Sequence, residues 1–270
     1  MPKGNLLVLG ATSATGKLIV DRALGQGWKV TIYGRRTLPE HEANPDIKTI
    51  QGPLTSSPLL RTAIASQDAI ISVIGPSSAT PSFSFSFFSS SSSSPQTTNS
   101  ENSPAIFPQA YALILSLMRE CGVRRIVALS TYSVRVPPPS PSPTPKPQAQ
   151  TQEERERVVK QQHDRFHPLM SLLTTLLWLL AYRTWKAVVD VGAVFDQFQS
   201  PHDLDWTLFR VGFLTNGPAR GVVEGFLGDG RLGVSIRRED IASWTLEQVG
   251  GRDGNNNNRW LRMKPGISSA

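Results

Sequence analysis

The sequence predicts an α/β fold, a doubly wound and mostly parallel sheet with helices on both faces, built as one domain over residues 1–270. Three observations carry that expectation. The first 75 residues alternate between short β-branched runs and helical spacings. The first apolar run is continuous rather than alternating, as in a strand covered on both sides. A glycine-rich turn joins that run directly to the first helix.

Residues 5–9 read as the first strand, bounded by Gly10. Residues 16–24 have helical spacing, with Leu18, Ile19 and Ala23 on one side, and Gly25 and Gly27 stop them. Residues 29–33 predict a second strand and 47–50 a short third. A helix over 58–66 turns Leu59, Leu60, Ala63 and Ile64 inward, and a fourth strand over 69–74 ends at Gly75-Pro76. The rhythm resumes with a helix at 108–121 and a strand at 125–129. Helices are expected at 152–163, 168–182 and 185–198, a sixth strand at 205–210, a helix at 239–249 and a last strand at 259–263.

Three biased segments interrupt this order. Residues 82–103 hold eleven serines in 22 positions, and a Ser/Phe tract of this kind buries too little to order itself. Residues 134–151 are proline-rich, with seven prolines between 137 and 147, and 250–258 form a Gly/Asn-rich loop. The first two read as disordered insertions in loops. The alternative for Phe83, Phe85 and Phe87 is an exposed strand.

Composition narrows the function classes. A single cysteine, Cys121, excludes an internal disulfide and suits a reducing, cytoplasmic setting. Lying beside Gly122 at a helix end, it reads as packing rather than as a nucleophile. The opening apolar run, Leu6 to Leu9, is too short for a signal-peptide core. The longest apolar run, residues 169–181, reads as a buried helix, a dimer face or the wall of an apolar pocket. As a helix it would span only about 20 Å, against a bilayer core of about 30 Å, so no membrane span is expected. Net charge is +7, yet no basic run exceeds two residues. That distribution points to an anionic small molecule rather than to nucleic acid.

The chemistry centres on Gly10-Ala11-Thr12-Ser13-Ala14-Thr15-Gly16, between the first strand and the first helix. Such a turn lets backbone N–H groups face a pyrophosphate at the positive end of the helix. Gly10 permits the tight turn, Gly16 close helix–strand contact, and Thr12, Ser13 and Thr15 offer hydroxyl donors. The second strand ends in Tyr33-Gly34-Arg35-Arg36, with no acid to hold ribose hydroxyls. Arginine forks suit a 2′-phosphate, so NADP (NADPH) is expected in preference to NAD. His163 and His167 share a helical spacing, but no third ligand accompanies them, and no metal site is expected.

These residues resemble a family. The turn Gly10–Gly16 is similar to the GATGxTG turn of atypical short-chain dehydrogenase/reductase-like proteins, which share a Rossmann sheet. The nearest groups are the NmrA-like proteins and the biliverdin reductase B/flavin reductase group. Tyr33-Gly34-Arg35-Arg36 resembles the segment of their strand-2 arginine. Gln67-Asp68-Ala69-Ile70-Ile71 through Ile74-Gly75-Pro76 resembles their fourth strand and its cofactor-facing end. Gly122-Val123-Arg124-Arg125-Ile126-Val127 through Ser130-Thr131 resembles their GVKRIVxxSS segment. Leu204-Asp205-Trp206-Thr207 through Arg210-Val211 resembles their LDWTxxRP sixth strand, and Ile236-Arg237-Arg238-Glu239-Asp240-Ile241-Ala242 their ISRxDxA helix start. The closing residues 260–270 resemble fungal members most. Two departures stand out: Ser13 replaces the middle glycine, and Gly52-Pro53 replaces a Gly-Asp. The resemblance implies cofactor contacts at Ile74, Gly75, Ser130 and Thr131.

It also raises the catalytic question. Main-type short-chain dehydrogenases use a serine with Tyr-x-x-x-Lys, and Ser130, Tyr182 and Lys186 supply those residue types. The Tyr182–Lys186 spacing puts both on one helical face. The same spacing also suits an ordinary structural helix. Two functions remain open: an NADPH-dependent oxidoreductase acting on a small apolar or aromatic carbonyl, quinone or flavin, or a dinucleotide-sensing regulator acting through a protein partner.

Overall fold

A strand made of Leu6, Leu7, Val8 and Leu9 has no polar face, so it is stable only between two layers. The computed structural model describes residues 3–41, 43–75, 104–136, 164, 175, 182–200, 203–250 and 258–270. In it β1 (Gly4–Leu9) is the third strand of an eight-stranded sheet. All four side chains are fully buried. Leu6 and Val8 join the core on one face of the sheet, Leu7 and Leu9 the core on the other.

The chain continues through α1 (Ala14–Gly25), β2 (Trp28–Gly34), β3 (Ile47–Gln51), α2 (Ser57–Ile64) and β4 (Ala69–Ser72). Next come α3 (Ile106–Cys121), β5 (Arg125–Thr131), α4 (Tyr182–Asp196) and β6 (Asp205–Val211). Three short strands follow, β7 (Phe213–Thr215), β8 (Val222–Gly225) and β9 (Ser235–Arg237), then α5 (Arg238–Val249) and β10 (Gly266–Ser269). The strand order is β3-β2-β1-β4-β5-β6-β10-β8. Every pairing in it is parallel except β10 with β8. This is a mostly parallel Rossmann sheet. Its order reverses between β1 and β4, which opens a crevice beyond their carboxyl ends.

Helices cover both faces. α1 and α5 pack together on the face of Leu6 and Val8, and α2, α3 and α4 on the face of Leu7 and Leu9. Proline in its first turn opens α2, and Leu60, Ala63 and Ile64 point inward. Leu59, expected inward, is 38% exposed instead. α3 ends at Gly122, whose φ of 73° supplies the left-handed cap. Cys121 is half-buried against the α3 side of the core.

The expected elements through residue 129 all form, with shifted ends. β4 stops at Ser72 instead of running to residue 74, although the Val73 N–H still reaches the Leu9 carbonyl at 2.9 Å. The last strand is a correction. Residues 258–260 form a short 3-10 turn, Trp260 is buried, and Arg262 takes a φ of 55°, which no strand accommodates. The strand starts later, at Gly266. β7, β8 and β9 have no counterpart in the sequence reading. The expected insertion 134–151 starts too early: Val134 is buried with its carbonyl accepting from Arg210, and the Val136 N–H donates to Asp164. Its remainder, 137–151, and the expected segments 82–103, 152–163 and 251–257 lie outside the described residues, as do His163, His167 and nearly all of 168–181. Among the described residues no helix is long and apolar enough to cross a membrane, and no cluster of three or more metal-ligating side chains occurs.

Candidate dinucleotide site

The turn after β1 is built by backbone geometry. Gly10 has a φ of 85°, and a Cβ there would sit 2.9 Å from the Val73 carbonyl. A Cβ on Gly16 would lie 2.2 Å from the Gly10 oxygen, so only glycine lets α1 approach the turn this closely. Ser13 closes the motif. Its Oγ accepts the Gly16 N–H at 3.0 Å and donates to the Gly10 carbonyl at 2.9 Å, making it the N-cap of α1. The Ser13 hydroxyl, expected as a donor to phosphate, donates within the turn here. The serine that replaces the usual glycine stabilises the turn from within.

The N–H groups of Ala14 and Thr15 make no hydrogen bond among the described residues. They face out from the positive end of a twelve-residue helix, which is where a pyrophosphate is held. Thr15 is buried, Thr12 half-buried, and Ala14 exposed. Ile74 and Gly75 follow β4 across the crevice, Ile74 half-buried and Gly75 exposed.

Beyond β2, Arg35 and Arg36 are exposed at the head of a turn. Tyr33 lies beneath, and its hydroxyl donates to the Pro53 carbonyl at 2.6 Å. Burial pushes this phenol up from its ordinary value. Gly52 lies against it, since a Cβ there would be 2.7 Å from the Tyr33 hydroxyl. The Gly52-Pro53 segment thus packs against Tyr33, with glycine at 52 leaving room for the phenol.

At the end of β5, Ser130 is 6% exposed and its Oγ finds no hydrogen-bond partner among the described residues. An unpaired buried hydroxyl costs about 1–3 kcal/mol. It lies at the same carboxyl edge of the sheet as the glycine turn. Thr131 is half-buried, and its Oγ1 accepts the Ser133 N–H at 3.2 Å. Nearby, Ser72 and the buried Tyr111 share a hydrogen bond of 2.9 Å, and burial pushes the Tyr111 phenol up. The cradle, the two outward N–H groups and the unpaired hydroxyl fit a bound dinucleotide.

The structure also supplies residues that sequence reading missed. Arg210, fully buried at the end of β6, grips Asp164 through Nη1 to Oδ2 at 2.5 Å and Nη2 to Oδ1 at 3.0 Å. It also donates to the carbonyls of Val134 and Lys264. Asp164 in turn accepts the backbone N–H of Val136 at 2.7 Å and of Leu227 at 2.9 Å. One ion pair thus fixes the loops after β5 and β8 beside the site. An arginine inside the apolar run of β6 signals a buried partner; nothing in the sequence around Asp164 marks it as that partner.

Tyr182 and Lys186 share one face of α4, as their spacing implies. That face is opposite Ala187, Val191 and Phe195, which pack on the sheet. Tyr182 is 51% exposed and stacks on Trp185 at 6.0 Å. The Lys186 ammonium is held by both Asp190 oxygens at 2.8 and 2.7 Å, which raises its pKa. The pair is therefore not brought together with Ser130 in a buried site.

The fold has many solved counterparts. A short-chain dehydrogenase/reductase from Veillonella parvula DSM 2008 superposes with a TM-score of 0.66 at 14% identity, over 98% of this chain and 94% of that one. A structure of a wide-type short-chain dehydrogenase/reductase from the same organism, in complex with NADP, gives 0.64 at 14% identity over the same shares. The anaerobilin reductase ChuY from Escherichia coli O157:H7 gives 0.59 at 12% identity, over 98% of this chain and 97% of that one. At these identities the likeness is one of fold. No curated protein sequence matches the chain. The sequence model of the NAD(P)H-binding family matches residues 10–165, beginning at the glycine that opens the cradle and covering more than half of the chain. The chain therefore belongs to the NAD(P)H-binding family.

Proposed function

We propose that the chain is an NADPH-dependent oxidoreductase acting on a small apolar or aromatic carbonyl, quinone or flavin. The observation that carries this reading is the buried, unpaired Ser130 hydroxyl at the carboxyl edge of the sheet that also bears the glycine turn. A bound nicotinamide dinucleotide would supply the hydride. Gly10 and Gly16 shape its cradle, the Ala14 and Thr15 N–H groups hold its pyrophosphate, and Arg35 and Arg36 favour a 2′-phosphate. Ser130 and Thr131 then orient the substrate or the nicotinamide. A neighbour solved with NADP and another named an anaerobilin reductase make the same chemistry reasonable here. A single half-buried cysteine suits a reducing, cytoplasmic setting.

The test is NADPH oxidation against a panel of quinones, flavins and small carbonyls, with Ser130→Ala beside the parent. The reading expects turnover with at least one acceptor and a loss on the order of 100-fold in the variant, as for a lost positioning contact. Replacing Arg35 and Arg36 by alanine should weaken NADPH more than NADH, by about 1.5–3 kcal/mol. Equal losses would remove the NADP preference.

A second reading is favoured by Tyr182 and Lys186, which face solvent with the lysine tied to Asp190. Without a tyrosine proton donor, the chain would sense the dinucleotide and act through a protein partner. Tight NADPH binding with no turnover across the panel would select this reading.

A further inference from the structure

The turn after β2 carries Arg35, Arg36, Thr37, Leu38, Pro39, Glu40 and His41. Leu38 is 3% exposed and anchors it in the core from below. The Leu38 carbonyl accepts the His41 N–H at 3.0 Å, which folds Glu40 back over the turn. Glu40 is the one acid in this stretch. Its carboxylate meets Lys17 Nζ at 2.6 Å, and one helical turn further along α1 Asp21 meets His41 at 2.8 Å. The Lys17 hydrogen bond lowers the Glu40 pKa, so this acid stays ionised and its charge is balanced by its partner instead of by a proton.

We infer that Lys17 sets cofactor choice through Glu40: by neutralising that carboxylate it keeps the arginine turn receptive to the 2′-phosphate of NADP. The inference rests on the reading that Arg35 and Arg36 receive that phosphate. Arg36 and Glu40 stand four positions apart in a folded turn, and charges within about one Debye length, ~8 Å, of each other still interact. An unbalanced carboxylate would repel the phosphate and compete for the arginines. NADH, with hydroxyls at that position, would be indifferent or would gain an acceptor. Lys17 is a positioning residue here, since it acts on the cofactor through Glu40.

The experiment measures NADPH and NADH affinity of the full-length chain at low salt for the parent, Lys17→Met, Glu40→Gln and the double variant. Lys17→Met should weaken NADPH about fivefold and leave NADH within about twofold, as expected of an exposed charge pair. Glu40→Gln alone should hold or raise NADPH affinity. The double variant should return to within about twofold of the parent, because the carboxylate that Lys17 balances is gone with it. A loss shared equally by both cofactors, or no loss, overturns the inference. So does a double variant as weak as Lys17→Met, which would mean that Lys17 touches phosphate itself. A parent that binds NADH as tightly as NADPH removes the underlying reading as well, and the parent titration alone reveals that case.

Discussion

The turn after β1 and the loops after β5 and β8 border the same crevice, but they are held in different ways. In the first, the fixing contacts join residues three apart: Ser13 to Gly10 and Ser13 to Gly16. In the second, Arg210 reaches Asp164 across 46 positions and Val134 across 76, and Asp164 reaches Leu227 across 63. The dinucleotide end is thus set by local backbone geometry. The other end hangs on one buried charge pair that draws distant segments together.

That difference predicts where the molecule is fragile. Asp164→Ala leaves Arg210 buried without a counter-charge and strands two backbone N–H groups. The expected loss is about 3–5 kcal/mol of folding stability, read as a shift in denaturant midpoint. A loss below about 1 kcal/mol would mean that the loops are held by something else. The comparison sharpens with a paired replacement, Asp164→Leu with Arg210→Met. Removing both charges should recover part of the loss, since no buried charge is left unpaired.

The local turn should respond less in stability and more in binding. Gly16→Ala puts a methyl 2.2 Å from the Gly10 oxygen. Relief requires α1 to move off the turn, at about 1–3 kcal/mol. The Ala14 and Thr15 N–H groups move with it, so NADPH affinity should fall at least tenfold by isothermal titration. A variant that binds NADPH normally would show that this turn is not the cradle.

The same contrast explains what could be read in advance. Gly10, Gly16 and the apolar run of β1 each carry their reason within the segment they shape, so the fold and the tight turn after β1 were legible. Ser13 was legible only as a departure from pattern; its capping role needed the Gly16 N–H in place. Asp164 was not legible, because its partner is fixed by the sheet and not by spacing. The same holds for Glu224, which accepts the indole N–H of Trp244 and, at 2.9 Å, that of Trp260. Three-residue strands such as β7 and β9 carry too short a pattern to detect. The last strand was misplaced because the run from Trp260 to Met263 looks strand-like, while the Arg262 backbone turns left-handed for a tertiary reason.

Tyr182 offers the smallest expected effect and the finest test of where chemistry is located. Its spacing to Lys186 is a local feature, and if local features fixed the whole site it would be the proton donor. The far side of the crevice depends on long-range contacts instead, and α4 turns this pair outward. A lysine that assists a tyrosine must keep its ammonium near the phenol, and here both Asp190 oxygens hold it. Tyr182→Phe keeps the ring and its stacking on Trp185. Turnover should therefore change by less than about threefold, against the 10²- to 10⁴-fold expected for loss of a general acid. Stability should shift by no more than about 0.5 kcal/mol, as for an exposed site. NADPH affinity should not move. A hundredfold fall in turnover, with affinity and stability intact, would place the proton donor on α4. It would also mean that the helix reorients toward the crevice when substrate is bound, and the division between a local cradle and a long-range far wall would no longer describe where the reaction happens.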